Sequence, residues 1–129
     1  MGYTRYWKRT DRPITEDFVE EVKDILRDCA KKGIAIRDYM GDGKPEVTLE
    51  YIEFNGNHKE NLDHETFAIT NHDTNFNFCK TARKPYDYAV RKVLKAAERY
   101  GLVYDVRSDG ANNKVYSDEE YLQGMVEWG

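Results

Sequence analysis

A chain of 129 residues is long enough to close one hydrophobic core and too short for two, so we predict a single domain over residues 1–129. The net charge of −4 excludes a global field that attracts nucleic acid, so any anion site must be a local patch. No apolar run approaches the roughly 18 residues of a membrane span, and the first residues lack a signal-peptide pattern, which predicts no membrane partner and a cytoplasmic location.

The chain opens with a predicted strand over residues 3–8, followed by a first helix over residues 15–32. Thr15 can cap this helix, and Gly33 supplies the left-handed residue that commonly ends one. Apolar residues recur at helical spacing and form one stripe, consisting of Phe18, Val19, Val22, Ile25, Leu26, Cys29 and Ala30. This pattern predicts a helix that covers a sheet with one face.

Alternation of apolar and polar residues continues through the middle of the chain. It predicts strands over residues 34–38, 47–54, 64–70 and 75–79. Turn-forming residues separate them at 41–45 and 55–57. This succession of strands between two helices indicates an antiparallel-rich sheet.

A second long helix is predicted to begin at Pro85 and to stop near Gly101, before a last strand over residues 102–107. Ser117 opens a capping-box sequence for a short C-terminal helix, with an apolar side of Tyr121, Leu122, Met125 and Val126. The predicted fold class is therefore α+β, an antiparallel-rich sheet covered by two main helices plus the short C-terminal helix. A ferredoxin-like variant is one arrangement that fits this order.

The connection between the strand ending near residue 79 and the helix at Pro85 carries three cations. A helix start presents unpaired backbone amides and the positive end of the helix dipole, which favour phosphate or carboxylate. Lys80, Arg83 and Lys84 can add charge-assisted bonds there, and Thr81 a hydroxyl. Alternatively, Thr81 and Asp87 organise the helix start while the cations face water.

The first strand places Tyr3, Arg5 and Trp7 on one face. An arginine between aromatic rings can bind an anion and stack on a base. If this face is instead part of the core, Arg5 must be paired with an acid. Together with Tyr86, which can stack or bond, the candidate ligand-binding set is Tyr3, Arg5, Lys80, Thr81, Arg83, Lys84 and Tyr86.

Sequence motifs give no positive argument for a metal, a cofactor or catalysis. The histidines and carboxylates between residues 58 and 72 lack the spacing of zinc sites, so no metal site is predicted. No nucleophile elbow or paired Cys and His is recognisable. His64 or Glu65 could each act alone as an acid or base.

The chain resembles a family of small uncharacterised phage and bacterial proteins that open Gly-Tyr-Thr-His-Tyr and carry Phe-Cys-Lys-Thr-Ala-Arg-Lys-Pro-Tyr-Asp. The matching positions are Gly2, Tyr3, Thr4, Tyr6 and residues 78–87, with further similarity at residues 64–67 and 108–110. Arg5 stands where the family usually has His, which weakens a proton-transfer role at this position. The resemblance implies a phage or prokaryotic setting, the host cytoplasm if the protein is phage-encoded, and an anti-defence role by association.

Three hypotheses of function follow. The first is a protein that binds and sequesters a small anionic ligand, a nucleotide or a cyclic nucleotide signal, without chemistry. The second is a phosphodiesterase or nucleotide-processing enzyme that uses His64 or Glu65. The third is a protein inhibitor or structural partner, in which Tyr121, Met125 and Trp128 contact a host protein or a second subunit of a homo-oligomer.

Overall fold

The computed structural model describes residues 3–73 and 75–109. Within them lie two helices, α1 (Glu16–Lys31) and α2 (Asp87–Arg99), and one short 3-10 turn (His58–Glu60). The strands are β1 (Thr4–Arg9), β2 (Glu46–Val47), β3 (Tyr51–Phe54), β4 (Phe67–Thr70), β5 (Phe76–Lys80) and β6 (Val103–Ser108). The α+β prediction is confirmed, while the predicted C-terminal helix lies outside the described residues.

The strands form two three-stranded antiparallel sheets rather than one. The first sheet has the order β5, β1, β6, and the second has the order β2, β3, β4. Helix α2 joins β5 to β6, and β1 lies between these two strands and antiparallel to both. This split β-α-β arrangement is one half of a ferredoxin-like fold. The remaining strands pair among themselves in the second sheet.

Two of the predicted strands differ in the structure. Residues 34–38 form a single bridge, between Arg37 and Asn55, and residues 47–54 divide into β2 and β3. Thr48 makes the division, because its hydroxyl accepts from the amides of Glu50 and Tyr51 at 3.1 and 3.0 Å and closes a tight turn. A side chain that bonds to nearby backbone amides in this way competes with a continuous strand.

The helix starts follow their capping chemistry. Thr15 accepts from the amide of Phe18 at 3.2 Å and caps α1 as predicted, and Gly33 follows the helix with φ of +79°. Helix α2 begins at Asp87, two residues later than predicted, because Pro85 and Tyr86 belong to the preceding turn. Neither helix in the described ranges is long and apolar enough to cross a membrane.

One core lies between the helices and the two sheets. The Trp7 ring of β1 lies 5.2 Å from Phe67 of β4, which lies 5.0 Å from Phe54 of β3. These rings join the inner face of the first sheet to the second sheet. The largest fully buried side chains from both helices and the turn before α2 complete the core, among them Phe18, Val22, Tyr86, Tyr88, Val90 and Leu94.

Arg9, at the end of β1, is only 2% exposed although it carries a charge. Its guanidinium donates to the carbonyl oxygens of Leu102 at 2.8 Å, Arg12 at 3.0 Å and Thr70 at 3.1 Å. Burial lowers the pKa of Arg9. Carbonyl oxygens from three parts of the chain therefore satisfy this buried cation.

Candidate functional site

The β5–α2 connection is a tight turn in an unusual backbone conformation. Ala82 and Arg83 have φ of +52° and +58°, and the Lys84 amide donates to the Thr81 carbonyl at 3.0 Å, as in a type I′ turn. Left-handed backbone costs a residue other than glycine about 1–2 kcal/mol. Here the amides of Thr81 and Ala82 both donate to the carbonyl of Tyr3, at 3.0 and 3.2 Å, which holds the turn against β1.

Arg5, Thr81 and Asp87 form a buried network beneath this turn. The guanidinium of Arg5 donates to both carboxylate oxygens of Asp87, at 2.8 and 3.0 Å, and the Thr81 hydroxyl donates to the same carboxylate at 2.8 Å. Their exposed fractions are 7%, 0% and 0%. Burial alone lowers the pKa of Arg5, but Asp87 more than offsets this and the pKa is raised overall. The interpretation in which Arg5 is paired with an acid is confirmed.

Tyr86 and Glu65 join the turn to the start of the second sheet. The Tyr86 hydroxyl, fully buried, donates to the Glu65 carbonyl at 2.6 Å. The Glu65 carboxylate accepts from the Lys80 amide at 2.8 Å, and the Glu65 amide donates to the Lys80 carbonyl at 3.1 Å. Burial raises the pKa of Tyr86 well above its usual range. Both side chains are therefore engaged in holding the two sheets together.

The structure brings together only part of the predicted ligand-binding set. The guanidinium carbons of Arg83 and Arg5 lie 4.9 and 5.3 Å from the centre of the Tyr3 ring, which is itself buried. Lys84 turns away and donates to the carbonyl of Asn61 at 3.0 Å. Lys80 is exposed on the opposite face of β5 from the core.

The start of α2 differs from the predicted anion site. The amide of Asp87 donates to the Lys84 carbonyl at 2.9 Å, and that of Tyr88 donates to the Pro85 carbonyl at 3.1 Å. These two amides are therefore paired within the turn and do not point at a ligand. The side chains of Arg5, Thr81 and Tyr86 are bonded inside the protein, where they connect the start of α2 to the first sheet and to the residues before β4.

A different surface gathers aromatic and cationic side chains, and we call it the outer face. It is the side of the first sheet that points away from the core, where β5 and β6 present Phe76, Phe78 and Tyr104 with exposed fractions of 53%, 54% and 51%. Tyr6 of β1 lies between them, stacked on Phe76 with ring centres 5.9 Å apart, and Phe76 lies 6.2 Å from Phe78. The cations of this face are Lys8, Lys80 and Arg107.

A β-bulge in β6 gives the outer face part of this composition. Tyr6 pairs with Arg107 and Lys8 pairs with Tyr104, so β6 has one more residue than β1 between these pairs. Asp105 lies in the bulge with φ of +53°. Directly opposite residues of a sheet share a face, so the bulge places both Tyr104 and Arg107 beside the β1 side chains.

The charged groups of the outer face form a local network. The Asp105 carboxylate accepts from Arg107 at 2.8 Å and contacts the Lys8 ammonium at 3.3 Å. The Arg107 hydrogen bond, followed by the contact with Lys8, lowers the pKa of Asp105. A hydrogen bond from Tyr6 to Asp109, at 2.9 Å, raises the pKa of the Tyr6 hydroxyl. Asp105 is therefore a carboxylate at neutral pH, while the Tyr6 hydroxyl keeps its proton.

An open concavity of about 400 Å³ lies on this face, within the range of small-ligand sites. Its lining comprises Tyr6, Lys8, Phe76, Asp105 and Arg107, with parts of Trp7 and Ser108. A second concavity of about 830 Å³ lies between α1 and β2. Two of its cations, Lys23 and Arg27, are paired with acids along α1, as Lys8 and Arg107 are paired with Asp105 on the outer face.

The sequence carries a signal for the outer face that the motif search missed. Within β5, Phe76 and Phe78 share one parity, and Cys79 has the other. Cysteine is among the most buried residue types, so Cys79 indicates that both phenylalanines point away from the core. Within β1, Trp7 is expected to face the core, so its neighbour Tyr6 is expected to lie on the outer face.

The histidines of the described residues do not assemble a metal centre. His58 contacts Asp63 at 2.9 Å on the surface, and the backbone of His64 is bonded to the Asn55 side chain. No group of three or more His, Cys, Asp or Glu side chains within residues 3–73 and 75–109 is placed to hold a metal ion.

Comparisons of this chain with models of protein families, with curated proteins and with solved structures gave no match. The resemblance to the phage and bacterial family therefore stays a prediction.

Proposed function

We propose that the protein binds nucleotides on the outer face of the first sheet and sequesters them without chemistry. The observation that carries the proposal is the cluster of Tyr6, Phe76 and Phe78, in which both phenylalanine rings are about half exposed. Soluble domains commonly bury such rings, and stacking on a base is worth about 1–3 kcal/mol.

Cations beside the rings support an anionic rather than a neutral aromatic ligand. The side chains of Lys8 and Arg107 are 45% and 71% exposed, so each can contact a ligand without leaving its place on the sheet. Guanidinium and ammonium groups form charge-assisted bonds with phosphate. A base over the rings with its phosphate toward these cations uses both features at once.

Binding without turnover is proposed because of the state of the carboxylate in this face. Asp105 is ion-paired with Lys8 and Arg107 and has a lowered pKa, so it is a weak base and is not protonated at neutral pH. A general acid or base needs a pKa near the working pH. Aromatic rings and neighbouring cations bind a nucleotide, and the ion-paired Asp105 carboxylate is poorly suited to transfer its protons.

Calorimetry with a panel of nucleoside monophosphates and cyclic nucleotides tests the proposal. Phe78→Ala is expected to weaken nucleotide binding about five- to 150-fold, the equivalent of roughly 1–3 kcal/mol. The matched control is Tyr39→Ala, because Tyr39 is 56% exposed and lies outside the first sheet. The control is expected to bind like the wild type, and inorganic phosphate is expected to bind much more weakly than a nucleotide.

Two outcomes would overturn the proposal. One is the absence of heat with every nucleotide, and the other is an equal loss of affinity in Phe78→Ala and Tyr39→Ala. Mass spectrometry of the recovered ligand separates sequestration from the enzyme hypothesis, since a changed mass identifies turnover.

A further inference from the structure

The outer face provides more stacking positions than one nucleotide can use. Phe78 lies opposite Tyr6, and Lys8 lies between Phe76 and Tyr104 in the next row. Neighbouring strands are about 4.8 Å apart, and alternate residues on one strand are roughly 6.7 Å apart. Rings on all three strands therefore extend over an area larger than a single base.

We infer that the ligand of this face is a single strand of nucleic acid, an inference that rests on the proposed function. Sheet faces with aromatic side chains on adjacent strands bind two or three unpaired bases, because every base has a face that can stack. A duplex keeps its bases stacked on one another and presents only edges and phosphates. The exposed rings therefore favour unpaired over paired nucleic acid.

The cations are distributed to follow a backbone rather than to surround one phosphate. Lys80 lies at one end of β5, two residues beyond Phe78, whereas Arg107 lies on β6 at the other side of Tyr6. Lys8 lies in the second row, with its ammonium 6.0 Å from the centre of the Tyr104 ring. Cations at two separate places, Lys80 on β5 and the Lys8–Arg107 pair that shares Asp105, suit successive phosphates of one strand better than a single terminal phosphate.

The overall net charge of −4 does not oppose this inference at the face itself. Exposed charges more than a Debye length apart are largely screened, and that length is about 8 Å at physiological salt. The local groups on the outer face therefore decide the contact with phosphate.

Fluorescence anisotropy with labelled ten-nucleotide strands tests the inference on the full chain. Single-stranded RNA or DNA is expected to bind at least about tenfold more tightly than the corresponding mononucleotide, because several bases stack at once. A duplex of the same length is expected to bind at least about tenfold more weakly than the strand. With two to three phosphates contacted, the slope of log affinity against log salt is expected to be about −1.5 to −2.

Matched variants place binding on this face. Phe76→Ala and Phe78→Ala are each expected to weaken strand binding about fivefold or more, and Tyr39→Ala is expected to leave it unchanged. Arg107→Gln is expected to reduce the salt slope, with Lys44→Gln as the control for an exposed cation elsewhere. All five substituted side chains are at least partly exposed, and thermal unfolding by circular dichroism verifies that each variant is folded.

The outcomes separate this inference from the function on which it rests. If mononucleotides bind and require Phe78, but strands bind no more tightly or duplexes bind equally well, the single-strand inference is overturned and nucleotide binding stands. If neither mononucleotides nor strands bind, both are overturned. Tighter binding of RNA than of DNA, or equal binding of the two, supports the inference and tells whether the 2′-hydroxyl is contacted.

Discussion

Removing the charge of Asp87 is expected to destabilise the protein strongly while leaving the outer face intact. In the wild type, the guanidinium of Arg5 is only 7% exposed and donates to the Asp87 carboxylate at 2.8 and 3.0 Å. In Asp87→Asn, Arg5 keeps its charge but loses this carboxylate. Breaking a buried pair by removing one partner costs about 3–5 kcal/mol. The amide oxygen of Asn can still accept one bond, so the expected loss is roughly 3 kcal/mol, a large part of the stability of a domain this size.

Urea unfolding followed by tryptophan fluorescence measures the loss, with the buried Trp7 as a reporter. Asp24→Asn is the matched control, since Asp24 pairs with Arg27 on the exposed side of α1 and is expected to contribute less than about 0.5 kcal/mol. The double variant Arg5→Met with Asp87→Asn removes the stranded cation and is expected to be more stable than Asp87→Asn alone. A loss below about 1 kcal/mol for Asp87→Asn, or no recovery in the double variant, would refute the reasoning.

Two further predictions concern packing and pH. Gly56→Ala is expected to cost roughly 2–3 kcal/mol in urea unfolding, because a Cβ there collides with the Leu62 carbonyl and comes within 2.9 Å of the Tyr86 ring. Gly33→Ala is the control, because a Cβ at Gly33 meets open space and only its φ of +79° is unfavourable, so the expected cost is about 1 kcal/mol. Equal losses of stability in the two variants would contradict the packing argument. Burial, followed by the nearby charges of Glu46 and Asp38, raises the pKa of Glu53. The folded state therefore favours the protonated side chain, and the free energy of unfolding falls as the pH rises through this pKa. Glu53→Gln is therefore expected to raise the free energy of unfolding at pH 7 but not at pH 3.5. Glu50→Gln, at an exposed position, is the control. An equal gain at both pH values would argue against a raised pKa of Glu53.

The elements that could be predicted are those whose signals are local. The Thr15 cap and the apolar stripe of α1 lie within a few turns of one another, so the sequence alone locates the helix. The parity of β1 also predicts that Arg5 shares a face with Trp7, and that it needs an acidic partner if this face belongs to the core. The identity of that partner is not local, because Asp87 lies 82 residues away and meets Arg5 only when α2 packs under β1.

Two features of the site could not be predicted from residue type. The left-handed backbone at Ala82 and Arg83 could not be predicted, because neither residue is a glycine or an asparagine. The turn is held instead by two bonds to the carbonyl of Tyr3, which is distant in sequence. The bulge at Asp105 depends on the register between β6 and β1, which periodicity within β6 does not reveal. The outer face can be predicted from the sequence only by combining two strands. Cys79 shows which side of β5 faces the core, and Trp7 shows the same for β1.

Arg9 has a consequence for how the molecule comes apart. Its guanidinium is satisfied by carbonyl groups from β4, from the loop after β1 and from the residue before β6, at Thr70, Arg12 and Leu102. Separating the second sheet from β1 removes the Thr70 carbonyl from this guanidinium, so partial opening there costs a hydrogen bond to a charged group. Arg9 thereby links the unfolding of β4 to that of β1, although the two strands belong to different sheets among the described residues.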